Sequence, residues 1–390
     1  MKILHTSDWH IGRTIRGRSR SDEHEAVLAE IAGIARARAV DLILVVGDIF
    51  DTAAPTADAE RIAYAGLLDL ASVGVPVIVV SGNHDNERRL QAVAPMLDLG
   101  HIVTRASFVP ASEGGVVTGT TAGGERWRVA CIPFLSQRWV VRSDDLLDPQ
   151  ADASGHRGQY AARVGRIVGA LTAGFTPDAV NIVAAHLHVD GGLLGGGERP
   201  AHTIFDYAVS PAAFPSSVHY VALGHLHRAQ RVPGPAPTHY CGSPLQLDFG
   251  ETSDTKSVTL VTASAGLPAA AEEIALTAGR RLRTIAGSLA ELHAIAAGDA
   301  DDEWLKVVVR EPARLGLGDE VRNLFPDAVE VVVDAPGRDG VHRDRVARAG
   351  RGPRDLFREY LAEVGVSDDR LMAMFDRLLD EQVLTPSDAG

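Results

Sequence analysis

The stretch Asp41–Asp51, DLILVVGDIFD, sets the reading of the whole chain. Asp41–Val46 is a continuous apolar run, the pattern of a strand buried on both faces. Gly47 and Asp48 follow at once, so a carboxylate stands at the carboxyl end of that strand, where open α/β sheets place their sites. The same design recurs on either side. Upstream, Lys2–Thr6 leads into SDWH with Asp8 and His10; downstream, Pro76–Val80 leads into SGNHD with Asn83, His84 and Asp85. Between these runs, Asp22–Ala39 and Thr56–Val73 carry helical spacing, and Asp22 and Glu23 suit the positive amino end of the first helix. The order β-α-β-α-β predicts three parallel strands with right-handed crossovers.

Further along, Pro177–Ala185 and Val218–Leu223 read as buried strands. They run into AAHLHVDG, with His186 and His188, and ALGHLHR, with His225 and His227. Strands and turns dominate Phe108–Ile132, and Asp190–Arg199 (DGGLLGGGER) reads as a flexible loop beside the site. Lys256–Val261 looks like a closing strand, and the Ala/Gly/Pro-rich stretch Ala263–Ala271 like a boundary. A second unit follows: Arg281–Ile285, Ser288–Ala296, Glu303–Arg310, Gly318–Phe325 and Ala328–Val333 alternate strand, helix, strand, helix, strand. The expected domains are a catalytic unit at 1–270, a cap at 275–335, a linker at 336–352 and a helix-loop-helix at 353–385.

The polar residues at these strand ends are a supply of metal ligands. Asp8 and His10 are two apart, so in an extended segment both reach one ion, and His225 and His227 repeat the spacing. Asp48 has two oxygens and can bridge two ions, Asn83 offers a carbonyl oxygen, and His186 or His188 an imidazole. The mixture of imidazole, carboxylate and amide without thiolate suits manganese, iron or zinc, and six-coordinate manganese best. Two such ions ~3.5–4 Å apart are the apparatus of phosphoryl transfer, so a phosphodiester is the expected substrate bond. His84 is placed to hydrogen-bond the phosphate or protonate the leaving oxygen, with Asp85 tuning it. Any one of these motifs alone is better read as a turn, a cap or a surface pair; their joint occurrence after five apolar runs carries the inference.

Composition bounds the rest. The chain of 390 residues is 45% hydrophobic and 23% charged, as expected of a globular protein of two or three domains. No apolar run approaches the ~18 residues of a membrane span, and the start MKILHTSDWH is too short and polar for a signal peptide. Cys131 and Cys241 make neither a zinc spacing nor a disulfide framework, which fits a reducing cytoplasm. The net charge of −13 argues against a generally basic surface, but arginines cluster beside the motifs: Arg13, Arg16, Arg18 and Arg20, then Arg88 and Arg89, then Arg228 and Arg231. Arg13, Arg16, Arg18 and Arg89 are the candidate contacts to a polyanion such as a nucleic acid.

These residues resemble the calcineurin-like metallophosphoesterases. With GDIFDTAAP, GNHDNERRL, CIPFL, HYVALGHLHRAQ and YCGSPLQLDFGE, the chain resembles more narrowly the SbcD family, the nuclease subunits of bacterial SbcCD complexes. The resemblance implies a four-layer sandwich of two mixed β-sheets between helices, with a small α+β capping domain and a C-terminal helical tail. It implies one metal on Asp8, His10, Asp48 and His227, another on Asp48, Asn83, His186 and His225, and His84 as the catalytic histidine. It implies two Mn2+ as cofactors, with Mg2+, Fe2+ or Zn2+ as substitutes. The implied activity is that of a DNA repair and recombination complex: 3′→5′ double-strand exonuclease, single-strand endonuclease and hairpin opening, coupled to ATP. The implied partners are DNA and an SbcC-type coiled-coil ATPase, around a nuclease homodimer within a heterotetramer, in the nucleoid-associated cytoplasm and without a membrane. Archaeal relatives carry a histidine where Asp51 stands here, so that residue's role is not carried over.

The terminal helices have their own physics. Leu356, Phe357, Tyr360, Leu361 and Val364 lie on one face of the first, and Leu371, Met374, Phe375, Leu378 and Leu379 on one face of the second. Helices shorter than ~12–15 residues are marginal alone in water, so the stripes need a partner surface or the cap itself. Two other functions fit the metal motifs: a small-molecule phosphodiesterase on the same fold, and a DNA-end tether whose cleavage is secondary.

Overall fold

The computed structural model describes residues 1–136, 156–198, 208–296 and 303–334, with a few helical residues between Phe357 and Asp376. Strands β1 (Lys2–Thr6), β2 (Leu42–Val46), β3 (Val77–Val80) and β4 (Ile102–Arg105) lie side by side and parallel. Helices α1 (Ser21–Arg38), α2 (Ala57–Ala71) and α3 (Glu87–Asp98) connect them. The expected β-α-β-α-β order is borne out, and β4 extends it. Local chemistry sets the helix starts: Thr56 caps α2 by accepting from the Ala59 amide, and Asn86 caps α3 by accepting from the Arg89 amide. On the other side of β1, β11 (Ser257–Ser264) and β12 (Leu267–Ala275) run antiparallel and complete a mixed six-stranded sheet. Ala263–Ala271, expected as a boundary, is therefore the end of β11, the hairpin turn and the first half of β12, with Gly266 at φ +78° supplying the left-handed turn residue. Its small residues suit an exposed edge strand.

The second mixed sheet has the order β5 (Val116–Thr120), β6 (Arg126–Ile132), β7 (Val180–His186), β8 (Tyr220–Gly224), β10 (Thr238–Tyr240) and β9 (Gln230–Val232). Strand periodicity explains how β2 serves two layers. Ile43 and Val45 join the core beneath α1, α2 and α3, while Leu42, Leu44 and Val46 join the core between the sheets, opposite Val129, Ile182, Ala184 and Ala222. A fourth helix, α4 (His156–Thr172), packs beside β6 with Tyr160, Val164, Val168 and Leu171 buried. The layers are thus helix, sheet, sheet, helix.

A smaller unit begins at Arg280. In it β13 (Leu282–Gly287), β14 (Trp304–Val309) and β15 (Ala328–Val333) form a parallel sheet in that order, joined by α5 (Leu289–Ala296) and α6 (Leu317–Leu324). Ile285, Leu292, Val307, Val309, Leu317 and Val321 are its core. The linker 336–352 lies outside the described residues, as does most of 353–385. Within that tail Phe357 and Phe375 stack at 4.1 Å between ring centroids. Among the described residues no helix is long and apolar enough to cross a membrane.

Ile43 is fully buried between β2 and its covering helices. Ile43→Ala is expected to cost about 2–5 kcal/mol, read as a shift in the urea unfolding midpoint. Leu267, 62% exposed on the edge strand, is expected to change stability by less than about 0.5 kcal/mol when made alanine.

Candidate metal centre

The loops leaving β1, β2, β3 and β8 and the last residue of β7 converge at one end of the two sheets. Their backbones are not the extended segments that the D-x-H and H-x-H spacings suggest. Asp8, His10 and Asp48 are left-handed, at φ +53°, +46° and +50°, and His225 is at φ +105°. Such values are costly for residues other than glycine and persist where surrounding contacts over-determine them. Here the contacts are visible: the Asp8 amide donates to Gly47 O at 2.9 Å and the His10 amide to Asp48 O at 2.9 Å, stitching the first loop to the second. The His225 amide donates to Asp8 Oδ1 at 3.0 Å, and Ser7 Oγ to Asp8 Oδ2.

Three groups of side chains bring their donor atoms together: Asp8, His10 and His227; Asp48, His186 and His225; and His10, Asp48 and His84. The two histidines of ALGHLHR thus part company, one to each of the first two groups, rather than sharing an ion. Asp48 belongs to two groups, with Oδ2 3.6 Å from His10 Nε2 and 3.4 Å from His186 Nε2. Asn83 joins the second group, its Oδ1 3.0 Å from His186 Nε2 and 2.8 Å from His225 Nδ1. His186, not His188, lies in this group; His188 approaches only by its ring, 6.2 Å from that of His225.

Whether the cluster suits cations can be read from its hydrogen bonds. His186 Nδ1 faces the Val46 carbonyl at 2.9 Å, which makes that nitrogen the donor and leaves Nε2 as a lone pair aimed at oxygen atoms. His227 Nδ1 faces Glu251 Oε1 at 3.0 Å and His10 Nδ1 faces Asp51 Oδ1 at 3.4 Å, yet the two Nε2 atoms confront each other at 3.1 Å. Lone pairs pointed at lone pairs in a buried space are satisfied by a cation or a proton. The donor set of imidazole, carboxylate and amide fits a divalent ion of intermediate hardness. The residues are positioned to bind metal.

The electrostatics run the same way. Burial alone would raise the Asp48 carboxyl, but His186, His84 and His10 outweigh it and hold it well below the usual carboxylate range. Burial likewise opposes charge on His186, yet Asp48 beside it pushes the imidazole up to about 9.

His84 sits among these groups with its Nδ1 donating to the Asp51 carbonyl at 2.7 Å and its amide donating to Asp48 Oδ1 at 2.8 Å. The expected tuning by Asp85 takes another form. Asp85 accepts from the Gly82 amide at 2.8 Å and the Phe50 amide at 3.0 Å, so it braces the two ligand loops, while Asp51 orients the His84 ring. Four residues of the centre carry no sequence signal of their role: Ser7, Asp51, Phe134 and Glu251. Phe134 stacks on His225 at 6.3 Å between centroids. CIPFL and YCGSPLQLDFGE point to Phe134 and Glu251 as segments without saying what they touch.

The arginines divide. Arg20 is buried, paired with Glu23 and donating to Gln246 O, and is structural. Arg13 reaches Asp51 at 3.3 Å on the rim of the cluster, and Arg16 lies 5.7 Å over the Phe249 ring. Arg18 is exposed, and Arg89 pairs with Glu60 at 3.1 Å on the surface.

Gly82 leaves no room for a side chain, since a Cβ there would strike Asp48 Oδ1 and its amide. Gly82→Ala is expected to keep the fold by circular dichroism and to show a smaller rise in melting temperature than the wild type when a divalent cation is added.

Residues 1–229 match the calcineurin-like phosphoesterase family. The SbcD component of the nuclease SbcCD from Bacillus subtilis is 32% identical over 389 residues, covering 96% of this chain and 97% of that protein. The SbcD of Rhodobacter capsulatus is 36% identical over 282 residues, 68% of this chain and 67% of that one. The SbcD of Escherichia coli K12 is 31% identical over 331 residues, 81% of this chain and 77% of that one. The chain therefore belongs to the calcineurin-like phosphoesterases and, within them, to the SbcD family of nucleases, metal-dependent hydrolases of phosphodiester bonds.

Proposed function

We propose that this chain is the nuclease component of a DNA repair and recombination complex, cutting DNA phosphodiester bonds with two manganese ions. The observation that carries the reading is the pair of ligand groups, Asp8–His10–His227 and Asp48–His186–His225, with His84 beside Asp48 and His10. Asp8, His10, Asp48 and His227 would hold one ion, and Asp48, Asn83, His186 and His225 the other. When bound, such ions lower the pKa of an attacking water and offset charge on the phosphate. The chain's own residues do the rest. His84 donates Nδ1–H to the Asp51 carbonyl, which orients the ring; in its doubly protonated form it would give its Nε2 proton to the leaving oxygen and return to the neutral Nδ1–H form. Asp85 keeps Gly82 and Phe50 in register, which holds Asn83 and Asp48 at their distance. Phe134 closes one side with an apolar ring and limits water at His225.

The substrate reading is double-strand 3′→5′ exonuclease, single-strand endonuclease and hairpin opening, coupled to the ATPase partner. Its support is the near end-to-end match to an SbcD nuclease and the arginines on the rim, Arg13 and Arg16, with Arg18 and Arg89 further out. The unit from 275 to 335 would serve as a DNA-binding cap. The terminal helices would grip a coiled-coil ATPase of the SbcC type, the partner that the relatives' SbcCD name implies. Tyr360 and Met374 are 57% and 49% exposed there, as a docking stripe requires.

His84→Gln is expected to lower manganese-dependent cleavage of a hairpin oligonucleotide by at least about 100-fold while DNA and metal binding persist. A small-molecule phosphodiesterase would instead hydrolyse a cyclic nucleotide and leave the hairpin whole with or without the ATPase. Deleting residues from 353 onward is expected to abolish capture of the ATPase and leave single-strand cutting intact; unchanged capture would defeat the docking role.

A further inference from the structure

The histidines of the centre differ in what holds the far nitrogen of the ring. His186 leans on a backbone carbonyl, Val46 O at 2.9 Å. His227 leans on a carboxylate, Glu251 Oε1 at 3.0 Å. Glu251 is fully buried at the end of the short turn Phe249–Glu251. Its second oxygen accepts from Lys256 Nζ at 2.7 Å and from the Leu247 amide at 2.9 Å. Lys256, itself only 9% exposed, also donates to the His227 carbonyl at 2.9 Å and to Ser243 Oγ at 3.0 Å. One ammonium thus ties the backbone of His227 to the carboxylate that holds its ring.

The glycine-rich loop seals this arrangement. A Cβ on Gly197 would lie 2.5 Å from Glu251 Oε1 and 2.9 Å from His227 Nδ1, so only bare backbone fits there. Glu198 adds a bond from the His227 amide at 3.1 Å. A buried ion pair contributes little net stability, because desolvating two charges offsets their attraction. Stability is therefore a poor account of why the pair is aimed at one ring. A carboxylate on the far nitrogen makes an imidazole a better donor and fixes its tautomer.

We propose that Glu251, neutralised by Lys256, is a positioning residue that fixes His227 with its proton on Nδ1 and Nε2 toward Asp8 and His10, raising cation affinity at that position alone. The inference rests on the two-cation reading of the cluster. The second position, around Asp48, His186 and His225, has the Val46 carbonyl instead and is independent of Glu251.

Manganese titration of the full-length protein, with free ion followed by electron paramagnetic resonance, tests this. Wild type should bind two ions. Glu251→Gln should weaken one of them by about 10–100-fold and leave the other unchanged. Gly197→Ala, which crowds the same contact without altering charge, should weaken the same one. In the double variant Glu251→Gln/Lys256→Met no ammonium is stranded, so the melting temperature should recover while the weak site stays weak. Equal weakening of both sites, no weakening, or tight binding regained in the double variant would overturn the positioning role. Fewer than two ions on the wild type would overturn the two-cation reading beneath it.

Discussion

The site depends on one carboxylate. Asp48 stands at the end of β2, the strand with a partner on both sides and a covered face on each. Its backbone is left-handed, its Oδ1 holds the His84 amide, and its Oδ2 lies between His10 and His186. The neighbours are shaped around it: Gly82 must lack a side chain to let it in, and the His10 amide docks on its carbonyl. A carboxylate in so buried a place is tolerable only when cations, imidazolium or metal, surround it.

Much of this is legible in the sequence because it rests on short-range rules. LILVV is too apolar for a half-buried strand, which calls for two covering layers, and the structure has them. The β-α-β-α-β order determines which ends of the strands meet, and so which residues share a site. The small unit after Arg280 is legible to within a few residues, because each of its elements carries its own periodicity.

The rest depends on contacts distant in sequence or on diluted periodicity. α3 contains Pro95, which argues locally against a helix, yet Leu90 and Leu97 are buried and hold it. In α4, Tyr160, Val164, Val168 and Leu171 mark a helical stripe, but glycines at 158, 165 and 169 obscure it. The D-x-H and H-x-H spacings suggest extended segments; left-handed backbone at Asp8 and His10 still brings that pair into one group, whereas His225 and His227 go to different groups. No local rule announces such conformations at Asp or His; they are imposed by bonds to Gly47, Asp48 and Asp8. Glu251 is 24 residues from His227, and nothing short of the folded chain brings them together.

The groups that contain His227 and His225 each draw on both sheets, from Asp8 in the first loop of the chain to the segment beyond β8. Neither sheet alone supplies either group in full. A chain still being synthesised, or one broken before His225, lacks the donors that complete the cluster, however well its first sheet has formed. Long-range assembly of this kind is slow compared with local folding. It also acts as a safeguard: the phosphodiester-cutting centre comes into being only after the sandwich has closed.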